Sequence, residues 1–132
     1  MDNTILIWKY LLPFLKNNED LNAYIHGKIF PLISNDAQTL YPFIVYRRDN
    51  ISVEYTKTPF QGWDNTVTIS VGVYSEDYTT GVEILNIVRN IFENKTLTTE
   101  DIKIHNMRVT DISEQRGDDC YLQSISFTFL AE

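Results

Sequence analysis

The sequence predicts an α+β fold. It is a two-layer sandwich in which two main helices cover one face of a mostly antiparallel four-stranded sheet, in the order α-β-β-α-β-β. Three stretches predict it. TVTISVGVY (66–74) alternates, with Val67, Ile69, Val71 and Val73 facing one way and Thr66, Thr68, Ser70 and Gly72 the other. That period of two marks an antiparallel strand with one covered face. VEILNIVRNIF (82–92) places Val82, Leu85, Val88 and Phe92 on one helical stripe, widened by Ile84, Ile87 and Ile91. LQSISFTFL (122–130) alternates again, with Ile125, Phe127 and Phe129 inward and Ser124, Ser126 and Thr128 outward.

The elements follow in order. Ile5, Trp8, Leu12 and Leu15, with Leu11 beside them, form a first helical stripe that Asn3 or Thr4 can cap. Pro13 removes a hydrogen bond inside that run, so the helix kinks there or a second helix starts with Pro13 in its first turn. Asn17, Asn18 and Asp20 offer a further cap before Leu21, and Gly27 is the expected stop. GKIFP (27–31) reads as a short edge strand within a connector, and SNDAQT (34–39) as turn. Pro42 has no donor, which suits the first position of a strand and not its interior. The strand proper is Phe43 to Arg48, resuming through Ile51 to Tyr55. KTPFQGWDN (57–65) is a loop carrying two large apolar groups, Phe60 and Trp63. The second main helix is expected over Thr80 to Asn94. After it, Ile102 and Ile104 share one parity and Met107 and Val109 the other, which a bulge or bend near His105 and Asn106 reconciles. EQRGDD (114–119) is a hairpin turn into the last strand, Tyr121 to Leu130.

The 132 residues, 43% of them hydrophobic, form a single domain over 1–132 with enough apolar mass to bury a core without staples. One cysteine excludes a disulfide scaffold and fits a reducing compartment. A formal charge of −7 works against long-range attraction to nucleic acid or anionic membrane. No stretch is long enough to span a bilayer. The N-terminal apolar run lacks a basic leader and a small-residue cleavage site, so it reads as mature protein.

No phosphate loop, paired metal histidines or nucleophile elbow is present. His26 and His105 sit among polar residues and read as surface groups. Cys120 reads as a half-buried small hydrophobe. Asp118 and Asp119 are explained by the turn and fall short of the ligand count a hard cation needs. No cofactor is expected. Arg47 and Arg48 are adjacent in a strand, so they face opposite sides. They read either as a strand end reaching solvent or as interface cations meeting acidic groups on a neighbouring copy. Phe60 and Trp63 either fold back over the core or anchor an interface.

Three segments together resemble the phage tail-completion (tail-terminator, head–tail joining) proteins. In that family an N-terminal helix leads to a g-r-I-y-P element and then a P-Y-I-V strand, and GKIFP followed by YPFIVYR is similar. VTISVGVYSED with its apolar helix resembles the family's middle, and the Tyr121 strand its end. The resemblance covers nearly the whole chain. Phe43 stands where Tyr is more usual, Lys28 where Arg is, and Pro13 interrupts the first helix. The resemblance implies a structural virion protein of the tail or neck, assembled in the bacterial cytoplasm, with no catalytic residues. It implies self-association into a ring, commonly hexameric, that caps the tail-tube protein and meets the head connector. DNA would pass through the lumen without specific binding, and no membrane is involved. Exposed edge strands and the 49–64 loop would serve these contacts. Another neck or tail-tube protein, or a small acidic adaptor binding a peptide along its sheet edge, remain alternatives.

Overall fold

The computed structural model describes residues 3–32, 40–54 and 64–132. A 3-10 turn, Thr4–Leu6, leads into helices α1 (Ile7–Lys16) and α2 (Glu19–Ile25). Strands β1 (Ile29–Pro31), β2 (Phe43–Glu54) and β3 (Asp64–Ser75) follow, then helix α3 (Tyr78–Phe92). Two short strands, β4 (Leu97–Thr98) and β5 (Lys103–Ile104), precede β6 (Arg108–Arg116) and β7 (Tyr121–Ala131). The fold is α+β, but the sheet differs from the expected four antiparallel strands. It has seven strands in the order β1-β2-β3-β7-β5-β4, with β6 also paired to β7. It is mixed, because β1 runs parallel to β2. Of the additional strands, β1 falls within GKIFP, as the sequence suggested, while β4 and β5 are two residues long, too short to show a period.

The helical layer also differs in detail. The N-terminal helix is continuous through Pro13, and the second helix begins only at Glu19. Pro13 and Lys9, the residue whose carbonyl loses its partner, are both exposed, so solvent satisfies what the proline removes. The buried stripe of α1 is Ile7, Leu11 and Leu15, while Ile5 is 70% exposed. Neither expected cap serves the first helix. Asn3 donates to the Asp101 carbonyl at 2.8 Å, and the Thr4 hydroxyl accepts from Asn65 Nδ2 at 2.9 Å. Asn18 does cap α2, accepting from the Leu21 amide at 2.8 Å. Asn22 then ties the two helices together, its amide reaching the carbonyls of Leu15, Lys16 and Asn18 at 2.8–3.0 Å. The chain leaves α2 through left-handed geometry at His26 and Gly27.

Asp77 caps α3, accepting from the Thr80 amide at 3.0 Å and its hydroxyl at 2.7 Å. These bonds hold the Asp77 carboxyl below its usual range. The buried face of α3 is Gly81, Ile84, Leu85, Val88 and Phe92, and Val82 is exposed instead. Gly81 lets the helix approach the sheet closely, since a Cβ there would lie 3.3 Å from Ser75 Cβ. Phe92 centres the core, with its ring edge-on to Trp8 at 6.2 Å and to Phe127 at 5.6 Å. The helices meet the sheet on Val67, Ile69, Val71 and Val73 of β3 and Ile125, Phe127, Phe129 and Ala131 of β7, all buried as the alternation predicts. The parity change near His105 is a break between β5 and β6, with a further register shift between Val109 and Asp111.

Candidate functional site

The two arginines lie where strand parity puts them, on opposite faces of β2. Arg48 is opposite Ile69 in the register and so lies on the helix side, where its Nη1 donates to the Ile5 carbonyl at 2.8 Å. Arg47 is opposite Ser70, on the face without helices. A register shift between Arg48 and Asn50 inserts Asp49 as an extra residue. The bulge places the Asp49 carboxylate 2.7 Å from Arg47 Nε. Arg47 is more than half exposed, so the pair contributes at most about 1 kcal/mol. Its consequence is local neutrality, because the cation is answered within its own strand.

Hydroxyls line the rest of this face in two rows across the sheet. In one, Ser70 donates to Asp49 and meets Ser126 Oγ at 2.8 Å. In the other, Thr128 meets Thr68 at 3.2 Å and Thr110 at 3.1 Å. Each such cross-strand pair adds roughly 0.2–1 kcal/mol and fixes the register. Toward the start of β2 the face turns aromatic: Phe43 stacks on Tyr74 at 4.9 Å and on Tyr41 at 5.5 Å. Between the two regions a depression of about 80 Å³ is lined by Val45, Arg47, Gly72 and Leu122 among others. Small-molecule pockets start near roughly 300 Å³, so this is surface relief.

Groups that carry chemistry elsewhere are dispersed. His105 Nε2 lies 3.1 Å from the Glu132 carboxylate, and His26 is the exposed cap of α2. Among the described residues no three metal-ligating side chains cluster. The hydroxyl of Tyr41 lies 3.2 Å from Asp119 Oδ1. Hydrogen bonding with Cys120, then burial and the nearby charges, pushes its phenol well above the usual value. Through its bond to Asp119, Tyr41 links the start of β2 to the β6–β7 hairpin end.

The sheet's outer edges are unequal. β1 ends at Pro31, which cannot donate, and β4 is two residues long. Natural sheets blunt their edges in both ways. β6 is nine residues long and exposed except at Val109, and among the described residues it pairs with β7 alone. β1 covers β2 only over Ile44, Val45 and Tyr46, so the outer side of β2 beyond that point is unpaired by any described strand.

Residues 9–131 match the family model described as tail completion protein gp17. The chain belongs to that tail-completion family. It is a structural tail protein of phage type, as the sequence resemblance implied. No curated protein matches the chain in sequence. Among solved structures, a chain of the virion of a native gene transfer agent particle is similar with a TM-score of 0.74 and 10% identity, over 92% of this chain and 91% of that one. A second solved protein is similar with a TM-score of 0.61 and 8% identity, over 94% and 95%. At such identities the likeness is one of fold.

For a tail-completion protein the relevant features are surfaces. The structure separates Arg47 from Arg48 instead of joining them in one patch. Phe60 and Trp63 lie outside the described residues. Sequence reasoning passed over Asp49, which the bulge turns toward Arg47, and Glu114 on β6. A usable signal was RVTDISEQR (108–116), where Ile112 stands alone in an otherwise polar run after Val109.

Proposed function

We propose that this tail-completion protein self-associates into a closed ring of about six copies, the cyclic symmetry a tube end requires. The ring caps the tail-tube protein and presents a surface to the head connector, joining tail to head. Family membership supports this reading, as does the similar fold of a chain in a gene transfer agent virion. The observation that carries it is the helix-free sheet face, where hydroxyls pair with hydroxyls and Arg47 is met by Asp49. Among the described residues such a face offers no cluster of free cations to hold a phosphate backbone, and the net charge of −7 disfavours one. DNA therefore traverses the ring without being bound. Arg47, Arg48, Phe60 and Trp63 serve subunit or tube contacts.

The test is the mass in solution by light scattering across a wide concentration range, with negative-stain images of any large species and a pull-down on purified tail tubes. Closed rings that bind tube ends support the reading. A chain that stays monomeric and leaves tubes unbound overturns it, and a monomer carrying a peptide ligand turns it into an adaptor. Trp63→Ala weakens assembly more than folding; unfolding of the variant monomer instead removes Trp63 from the contacts.

A further inference from the structure

We infer that neighbouring copies join by extending one sheet across the boundary, the outer edge of β6 in one copy pairing antiparallel with the outer edge of β2, Arg47–Val53, in the next. The inference rests on the ring reading and names the contact that closes it.

Three observations lead there. The first is which edges are left open. β1 and β4 are blunted, whereas β6 and the later half of β2 are long strands whose outer sides no described strand fills. Unpaired edges of that length template pairing with another chain.

The second is direction. β2 and β7 both run antiparallel to β3, and β6 runs antiparallel to β7, so β6 and β2 point in opposite senses. Copies repeated along a continuing sheet therefore bring β6 against β2 as an antiparallel pair. The two edges are different surfaces, so the contact is heterologous and closes into a ring when the rotation per copy permits.

The third is the match of side chains on the helix side of the sheet. On β2 these are Val53, Ile51 and, across the bulge, Arg48, which are opposite Asn65, Val67 and Ile69 of β3. On β6 they are Val109, Ile112 and Glu114, opposite Phe127, Ile125 and Gln123 of β7. Antiparallel pairing sets Val53 beside Val109, Ile51 beside Ile112 and Arg48 beside Glu114. Val53 and Ile112 are 47% and 49% exposed, apolar groups at two edges with no cover. Among the described residues, Glu114 accepts from Tyr78 and Gln123 through Oε2, which leaves Oε1 for a cation, and Arg48 uses Nη1 alone, on Ile5. A shift of two residues keeps Val53 against Ile112 but sets Ile51 against Glu114 and Arg48 against Arg116, so the charges favour the unshifted register.

The test combines proximity with charge exchange. Ile51→Cys and Ile112→Cys are made separately in a Cys120→Ser background and treated with a short bis-maleimide, alone and mixed. Cross-linking is expected only in the mixture, and the chain carrying both cysteines should give a ladder ending at the ring. Arg48→Glu and Glu114→Arg should each raise the concentration needed for assembly about tenfold or more, through a like-charge contact. The two changes together should restore it. Each single change also removes a hydrogen bond within the monomer, so melting temperatures are measured alongside; recovery of assembly in the double variant, whose monomer is no more stable than either single one, assigns the effect to the contact.

Rings that form without cross-linking, or charge variants that assemble normally, overturn the interface and leave the ring reading intact. Cross-linking of Ile112→Cys with itself shows a two-fold β6 contact and also overturns it. A wild-type chain monomeric at every concentration removes the interface and the free ring together.

Discussion

Replacing Phe92 with alanine tests the centre of the core. The ring is fully buried and touches Trp8 of α1 and Phe127 of β7 edge-on, so it links both helical segments to the sheet. Removing it forfeits about 1.5–3 kcal/mol of transfer free energy. Each edge-to-face contact adds roughly 0.5–1.5 kcal/mol. Partial collapse of the surrounding side chains recovers some of this, which gives a net loss of about 3–5 kcal/mol. For a domain of this length that corresponds to a fall in melting temperature of roughly 10–20 °C. Urea unfolding followed by circular dichroism is the assay, run below the assembly concentration so that self-association does not add apparent stability. The midpoint should fall while the slope stays constant. Phe92→Leu, which refills most of the space, should cost only about 1–1.5 kcal/mol. A loss below about 1 kcal/mol for the alanine variant would refute the placement of Phe92 as the keystone between layers.

Three further outcomes are expected. Asn22→Ala removes the amide that satisfies the Leu15, Lys16 and Asn18 carbonyls, and should cost about 1–2 kcal/mol in the same urea assay. Gly81→Val forces atoms against Ser75 and Gln123, and overpacking of that kind should cost about 1–3 kcal/mol by thermal melting. Stability should also fall at both ends of the pH scale. The carboxyls of Asp77, Glu93 and Glu114 are held below their usual values, chiefly by hydrogen bonds from Thr80, Arg89 and Tyr78. Their contribution is present above the ordinary carboxylate range and is lost as pH falls through the lowered values. Tyr24 and Tyr78 are raised by hydrogen bonds to Glu83 and Glu114, so theirs is present below the ordinary tyrosine value of 10.0 and lost as pH rises past it. Glu114→Gln should flatten part of the acid limb in a pH series of urea midpoints.

Particular residues show what the sequence made legible. Strands β3 and β7 were readable because each has one covered face along most of its length, and burial then writes itself into the sequence at every second position. α3 was readable for the equivalent helical reason, though Val82 was misplaced because Gly81, with no side chain to signal it, takes the contact. α1 was harder: Leu15 and Leu11 are buried as expected, but Ile5 is apolar yet 70% exposed, and it drew the stripe toward Trp8 and Leu12 and off Ile7. Strand parity foretold that Arg47 and Arg48 separate. It did not foretell Asp49, because a bulge follows from how two strands meet and leaves no mark in either one alone. Glu114 was invisible for a similar reason, since its neighbours Tyr78 and Gln123 come from other elements.

The central place of β7 has a consequence for timing. It is made after every strand it joins, yet it holds β3 along one side and β5 and β6 along the other. Asn65 waits for Ala131, and Val73 for Gln123. Until that last strand emerges, β6 has no backbone to lie against and its outer edge does not exist as a surface. A chain cut before Tyr121 therefore should not present the β6 edge that the proposed subunit contact uses.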